Sequence, residues 1–173
     1  MKLIPQIIGL AAVVTFLLSY QQKKRQNIII FNTISRCLYI LQYLLLGAYS
    51  GAVLDVLGAI SSVIAGKKHT WFIKRHTKAV FIAINLVIIF SGVAIALINK
   101  SLLDLLPILG VLLHTSAFWI TSERTIRRVS LLGSPFWLVY NFLSRAYSSA
   151  IGDVLTMASI VTAMLRYKDS EKK

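Results

Sequence analysis

The sequence predicts an all-α protein that crosses a membrane about seven times, with residues 1–173 forming a single transmembrane domain. Two observations predict this fold class. Hydrophobic residues make up 57% of the chain and charged residues only 14%, which is more apolar surface than a domain of 173 residues buries in water. The apolar residues also form long runs, which small basic clusters separate. Lipid is therefore the solvent that the composition indicates.

Each long apolar run is a predicted membrane helix, because a spanning helix needs about 20 largely apolar residues. The first run ends at the basic flank Lys23-Lys24-Arg25 without a small-residue cleavage site, so we predict a membrane helix there and not a signal peptide. Most connections are short, and only the loop from Lys67 to Thr77 is longer. The predicted helices cover residues 3–20, 28–46, 49–66, 78–98, 102–120, 129–145 and 148–166.

The basic residues predict the orientation of the helices. If seven helices alternate in direction, 15 of the 19 Lys and Arg residues fall on one side and 3 on the other, with Arg36 inside a helix. Lys and Arg accumulate in cytoplasmic loops, so we predict the N-terminus outside and the C-terminus in the cytoplasm. The basic side carries Lys23, Lys24, Arg25, Lys67, Lys68, Lys74, Arg75, Lys78, Arg124, Arg127, Arg128, Arg166, Lys168, Lys172 and Lys173, and the other side carries Lys2, Lys100 and Arg145.

The composition also argues against several other classes of protein. The net charge of +13 does not indicate nucleic-acid binding, because the basic residues lie at the ends of apolar runs and not on one soluble face. The single cysteine, Cys37, forms no internal disulfide, and the three histidines lack the spacing of a metal site. No motif of an intramembrane enzyme is present. We therefore predict neither catalytic activity nor a cofactor.

An internal repeat divides the chain. A shift of 98 residues aligns positions 48–65 with positions 146–163, and 10 of these 18 pairs are identical, including Asp55 with Asp153. Residues 3–66 and 102–166 are therefore predicted to be two three-helix repeats, with residues 78–98 as a linker helix. Three spans and a linker return the chain to its starting side, so both repeats have the same orientation. Parallel repeats of this kind place a site at their interface.

Two resemblances follow from these features. The 3+1+3 parallel repeat, with a basic loop after the first helix of each triplet, resembles the SWEET, semiSWEET and PQ-loop (MtN3-like) superfamily. The segments Pro135-Phe136-Trp137-Leu138-Val139-Tyr140-Asn141 and Ala150-Ile151-Gly152-Asp153 resemble the YgjV-type family of the bacterial inner membrane. The resemblances imply a pair of three-helix bundles in that membrane and transport of a small solute. The chain departs from the PQ-loop pattern at Ser19-Tyr20-Gln21-Gln22, where proline is missing.

The repeat-related carboxylates Asp55 and Asp153 are the main candidate site residues. An ionisable residue inside a membrane helix is costly, and it often marks a pathway for a solute or a proton. The two residues either line one cavity between the repeats and bind a ligand or a proton, or each bonds a neighbouring helix in its own bundle. A structural contact would be duplicated together with the repeat, so duplication does not separate these interpretations.

Other polar residues inside the predicted helices extend the candidate site. Arg36 needs a carboxylate partner at that depth, and Asp55 is the first choice because helical rise leaves only about 7 Å for the long side chain to span. His114 lies in the middle of the fifth helix, either in a site or as a hydrogen-bonded core residue. Trp137, Tyr140, Asn141 and Asn85 would add contacts to a small polar solute, such as a sugar or a nucleoside.

These residues favour a small-solute transporter with alternating access between two three-helix bundles. In this hypothesis Asp55 and Asp153 bind the solute or a proton, and Arg36 sets their charge. The alternative is a cargo receptor or assembly factor whose basic loops, Lys67–Lys78 and Glu123–Arg128, bind a partner or anionic lipid. The sequence indicates neither the solute nor the oligomeric state.

Overall fold

The computed structural model of the chain describes residues 3–167, and within this range every regular element is helical. The predicted positions of Lys2, Lys168, Lys172 and Lys173 lie outside the described residues. The long helices are α1 (Leu3–Tyr20), α2 (Arg25–Leu46), α3 (Tyr49–Gly66), α5 (Thr77–Asn99), α7 (Glu123–Leu143) and α8 (Tyr147–Arg166), and the shorter elements are α4 (Trp71–Arg75), a 3-10 helix (Leu102–Leu105) and α6 (Leu106–Ala117).

Five of the described helices are long and apolar enough to cross a membrane, namely α1, α2, α3, α5 and α8. The segment Leu102–Ala117 is apolar but shorter. The first two turns of α7 contain charged residues, which lower its mean hydropathy. This set of helices is typical of a multi-pass membrane protein. That α6 and α7 also span the membrane stays a prediction.

Helix boundaries differ from the predicted ones where polar residues are helical. Helix α7 begins at Glu123 and not at residue 129, because Ser122 caps it by accepting a hydrogen bond of 3.3 Å from the backbone N–H of Thr125. Helix α2 begins three residues before the predicted start, at Arg25. An apolar run predicts only the part of a helix that lies in lipid. Polar turns that continue the helix beyond the lipid are not detected by hydropathy.

Six helices form a closed ring. Helix α1 packs against α2, α2 against α3, α3 against α6, α6 against α7, α7 against α8, and α8 returns to α1. Helix α5 lies outside the ring and packs against α3 and α6. Its buried stripe consists of Ile88, Gly92 and Ala96, and an added Cβ at Gly92 would collide with Ile108 of α6. Close approach at this glycine therefore holds α5 against the ring.

Polar residues lie inside the ring, and large apolar residues lie on its surface. Buried polar side chains include Asn32, Arg36, Gln42, Asp55 and Asp153. Leu, Ile and Val residues of α1, α5 and α8 are exposed around the outside. A water-soluble domain has the reverse arrangement, because exposed apolar patches of this extent promote association. The surface of the ring therefore matches a lipid environment.

Basic side chains close one end of the ring, which we call the basic end. Arg25 donates hydrogen bonds to the carbonyls of Ala65, Phe118 and Ile120, where α3 and α6 end. Arg127 donates to the carbonyls of Tyr20 and Gln22 after α1. Carbonyls at a helix C-terminus lack partners within the helix, and cations there also interact favourably with the helix dipole.

Lys68 closes the basic end in the same way. Its Nζ lies 3.0 Å from the carbonyl oxygen of Trp119. Partial burial, followed by the nearby charge of Arg25, lowers the pKa of Lys68. These cations therefore stabilise helix ends.

Candidate functional site

A small cavity lies at the centre of the ring. Its volume is about 30 Å³, and all six ring helices contribute to its walls. A buried water needs about 10–15 Å³, so the cavity has room for one or two water-sized species. Its lining residues are Phe16 of α1, Arg36, Tyr39 and Tyr43 of α2, Asp55 of α3, His114 of α6, Trp137 and Asn141 of α7, and Asp153 of α8.

Arg36 and Asp55 form an ion pair on the wall of this cavity. The Nη1 atom of Arg36 lies 2.5 Å from Oδ1 of Asp55, and both side chains are buried. Nε of Arg36 also donates a hydrogen bond of 3.0 Å to Oδ1 of Asn32, one turn earlier in α2. The predicted partner of Arg36 is thus confirmed. A buried guanidinium needs both contacts, because an unpaired charge at this depth is costly.

Asp153 has a neutral partner. Its Oδ2 accepts a hydrogen bond of 2.8 Å from Nδ2 of Asn141, and Oδ1 of Asn141 accepts one of 2.7 Å from the hydroxyl of Tyr43. This chain of three side chains connects α8, α7 and α2 across the ring. Within residues 3–167, Asp55 contacts a cation and Asp153 an amide. The two repeat-related carboxylates therefore share a cavity but have different surroundings.

Aromatic rings cover much of the cavity wall. Tyr43 is nearly parallel to Tyr39 and to Trp137, with centroid distances of 6.2 and 6.3 Å. Phe16 of α1 contacts Tyr39 edge-on, with a centroid distance of 6.2 Å. Phe16, Tyr39 and Tyr43 are site residues that sequence reasoning missed. A signal was present, since Arg36, Tyr39 and Tyr43 lie on one face of a helix at spacings of three and four residues.

His114 lies at the edge of the cavity toward α1. Its Nδ1 is 3.4 Å from the hydroxyl of Tyr20, and its ring stacks on Phe16 at 5.9 Å. Its Nε2 is buried and has no hydrogen-bond partner among the described residues. An added Cβ at Gly133 would collide with this ring, so the glycine lets α7 approach α6 closely. The structure therefore places His114 at both the cavity and the helix interface.

Tyr140 lies beside the cavity and belongs to a second, larger space. Its ring packs edge-on against Tyr43 and Trp137, which line the cavity. Its hydroxyl lies 2.6 Å from Oγ of Ser50 and accepts a hydrogen bond of 3.0 Å from the backbone N–H of Gly51. Tyr140 also lines a groove of about 540 Å³ at the end of the ring opposite the basic end. The side chain therefore separates this groove from the cavity.

The groove contains a carboxylate that the sequence analysis did not single out. Asp104 accepts hydrogen bonds of 2.8 Å from Ser50 and from Nδ2 of Asn99, so both of its oxygens have donors. These contacts join the 3-10 helix to α3 and α5. Asp104 lies near the start of the predicted helix 102–120, and one of its two partners, Ser50, is 54 residues away in the chain. Only the folded arrangement reveals this cluster.

Asn85 lies away from the cavity. It is on α5, outside the ring, where Nδ2 donates to the carbonyl of Phe81 and Oδ1 is 3.4 Å from Oγ of Ser116. The structure thus brings six of the eight predicted site residues to the cavity wall, places Tyr140 directly beside it and places Asn85 elsewhere. The six are Arg36, Asp55, His114, Trp137, Asn141 and Asp153.

One comparison with known proteins gives a match. The model of a protein family named Imp-YgjV, described as a bacterial inner membrane protein, matches residues 3–171 of the chain. No curated protein and no solved structure matches the chain. The match covers all six helices of the ring and the cavity between them.

Proposed function

Because this chain belongs to the Imp-YgjV family of bacterial inner membrane proteins, we propose that it carries a small solute across the inner membrane. One observation carries the proposal: six helices enclose a cavity to which every one of them contributes, with Asp55 and Asp153 on its wall. A cavity between packed helices is where membrane transporters bind their solutes. Two aspartates with purely structural roles would have no need to line the same cavity.

The architecture proposed for transport is a pair of parallel three-helix units, α1–α3 and α6–α8, with α5 as linker and with SWEET-like topology. Backbone geometry at corresponding positions supports it. Gly47 and Arg145, which are 98 residues apart, both have positive φ values, of 78° and 58°. The next residues, Ala48 and Ala146, have φ and ψ of −85° and 65°, and of −84° and 62°. The same turn therefore precedes α3 and α8.

Asp153 and Asp55 differ in their proposed roles. Arg36 neutralises Asp55 and holds it in place, so Asp55 contributes position and polarity. Asp153 offers a carboxylate that has only an amide partner within the described residues, so it is the proposed contact for the solute or a proton. The same cavity also offers aromatic rings and the Asn141 amide. In this assignment the basic end of the ring faces the cytoplasm.

The size of the cavity restricts the solute. Sites for small organic molecules measure about 300–1000 Å³, roughly ten times the volume of this cavity or more. A sugar or nucleoside would therefore require the ring to open, whereas a water-sized solute fits the closed form. Alternating access provides such opening, since one three-helix unit would rock against the other.

A receptor or assembly role is the second candidate, and α4 favours it. This short helix exposes Trp71 and Phe72, and the guanidinium of Arg75 lies 5.8 Å from the ring of Trp71. Aromatic and basic side chains together suit a membrane surface with anionic lipid. A partner or lipid bound there would not need the central cavity.

Thiol labelling tests the transport proposal without knowledge of the solute. In a Cys37→Ala background, single cysteines replace Asp153 on the cavity wall, Ile88 in the buried stripe of α5, and Ser101 between α5 and the 3-10 helix. Intact cells and inside-out vesicles are then treated with a membrane-impermeant thiol reagent. We expect D153C to react from both sides, much faster than I88C, with S101C as the accessible reference. Equal, slow reaction of D153C and I88C from both sides contradicts transport and favours the second candidate.

A further inference from the structure

We infer that the central cavity binds a small monovalent cation of the ammonium class as the solute of the transport function proposed above. The inference rests on that proposed function and on three properties of the cavity: its volume, its charge and its walls. The sugar- or nucleoside-like solute expected from the sequence is too large for the closed ring. An ammonium ion is about as large as a water molecule, and a cavity of about 30 Å³ accommodates it without any opening.

The charges on the wall favour a cation over an anion or a neutral solute. Asp55 and Arg36 neutralise each other in their ion pair. Asp153 adds a second carboxyl group whose hydrogen-bond partner is the neutral amide of Asn141, so its ionised form has no counter-charge among the partners that the described residues provide. An unneutralised carboxylate inside a ring of membrane helices is costly. A bound cation removes this cost and provides N–H donors for the remaining oxygen of Asp153.

The walls suit an ammonium ion better than a metal ion. Trp137, Tyr43, Tyr39 and Phe16 present aromatic rings to the cavity, and rings of this kind attract cations through their π-electron faces. Hard metal cations prefer six or more oxygen ligands, which these side chains do not supply. A carboxylate beside aromatic rings is instead the chemistry that recognises ammonium groups.

Fluorescence of Trp137 provides a direct binding assay. The chain contains three tryptophans, and replacing Trp71 and Trp119 with phenylalanine leaves Trp137 on the cavity wall as the reporter. The purified full-length W71F/W119F protein in detergent is titrated with ammonium chloride, and with choline chloride at matched ionic strength. We expect a saturable change with ammonium and none with choline, because choline exceeds the cavity.

Two variants in the same background test the position of the site. Asp153→Asn removes the surplus charge and is expected to weaken ammonium binding about tenfold or more. Asp104→Asn is the matched control, because it removes a buried carboxylate from the opposite-end groove and leaves the cavity wall intact. Ammonium binding by D104N is expected to equal that of the parent. If D153N fails to fold, the comparison of ammonium with choline in the parent protein still decides whether the cavity binds ammonium selectively.

Several results would overturn the inference. These are the absence of a saturable response to ammonium, an equal response to choline, and emission that follows pH alone, which would assign the neutralising charge to a proton. The assay needs no transport, so its failure is distinct from failure of the labelling experiment. If ammonium binds but D153C is not labelled from both sides, the cation site is supported and the proposed transport function is contradicted.

Discussion

Arg36 of α2 and Asp55 of α3 form an ion pair in the interior of a helical ring, with 2.5 Å between Nη1 and Oδ1. Both residues are almost completely buried, and the second carboxylate of the cavity, Asp153, has no share in this pair. The pair therefore separates two residues that the sequence repeat makes equivalent.

Breaking the ion pair is expected to destabilise the protein. Asp55→Asn leaves the Arg36 guanidinium buried without a countercharge, at a cost of about 3–5 kcal/mol. Replacing both residues, in Arg36→Met/Asp55→Leu, is expected to recover most of the loss because neither charge of the pair remains buried. Thermal unfolding in detergent measures both variants. A double variant as unstable as D55N would show that the pair does more than neutralise its own charges.

Arg25 is expected to stabilise the basic end. Its guanidinium bonds the carbonyls of Ala65, Phe118 and Ile120, so Arg25→Met removes a donor from each of these helix ends, at a cost of about 1.5–3 kcal/mol. Lys24→Met is the control, because Lys24 is exposed and such positions change stability by about 0.5 kcal/mol or less. Equal unfolding temperatures for the two variants would refute the capping role.

Gly110 is expected to tolerate no side chain. An added Cβ would lie 2.6 Å from the indole of Trp137, which is itself packed between helices. Gly110→Ala should therefore force α6 and α7 apart and cost about 1–3 kcal/mol. Gly66→Ala is the matched control, since its Cβ would make only an ordinary contact of 3.5 Å with Ile29. A stable G110A protein would mean that Trp137 moves freely in the cavity wall.

Tyr140 is expected to close the cavity toward the opposite-end groove. Its ring packs against Tyr43 and Trp137, and its hydroxyl bonds to Ser50. Tyr140→Ala should join the two spaces and increase the labelling rate of D153C from outside the cell. Tyr140→Phe keeps the ring and should leave that rate near the parent value. The result that would contradict this role is identical labelling in all three proteins.

The orientation of the ring is open to a separate measurement. The basic residues predict that the turn containing Ser101 lies outside and that the flank containing Lys24 lies in the cytoplasm. In a Cys37→Ala background, S101C should react with an impermeant reagent in intact cells, and K24C should react only after permeabilisation. The opposite pattern would invert the predicted topology and would assign the opposite-end groove to the cytoplasmic side.

The sequence predicted six of the nine residues that line the cavity. A polar residue inside an apolar run stands out because lipid is a poor solvent for it, and this criterion selected Arg36, Asp55, His114 and Asp153. Aromatic residues give no such contrast, since they suit lipid, core and cavity alike. Tyr39 and Tyr43 were therefore missed, although they share a helix face with Arg36. Asn85 did stand out as polar, but polarity alone does not show that its helix lies outside the ring.

Sequence alone determined that the chain is helical, that it belongs in a membrane and that Arg36 pairs with Asp55. These properties depend on local composition and on short spacings, because the free energy of transfer into lipid is set by the residues of each helix. Tertiary structure alone decided that α1 meets α8 and α3 meets α6, and hence that six helices enclose one cavity. Which faces meet depends on the packing of side chains that are far apart in the chain, and no local pattern encodes that fit.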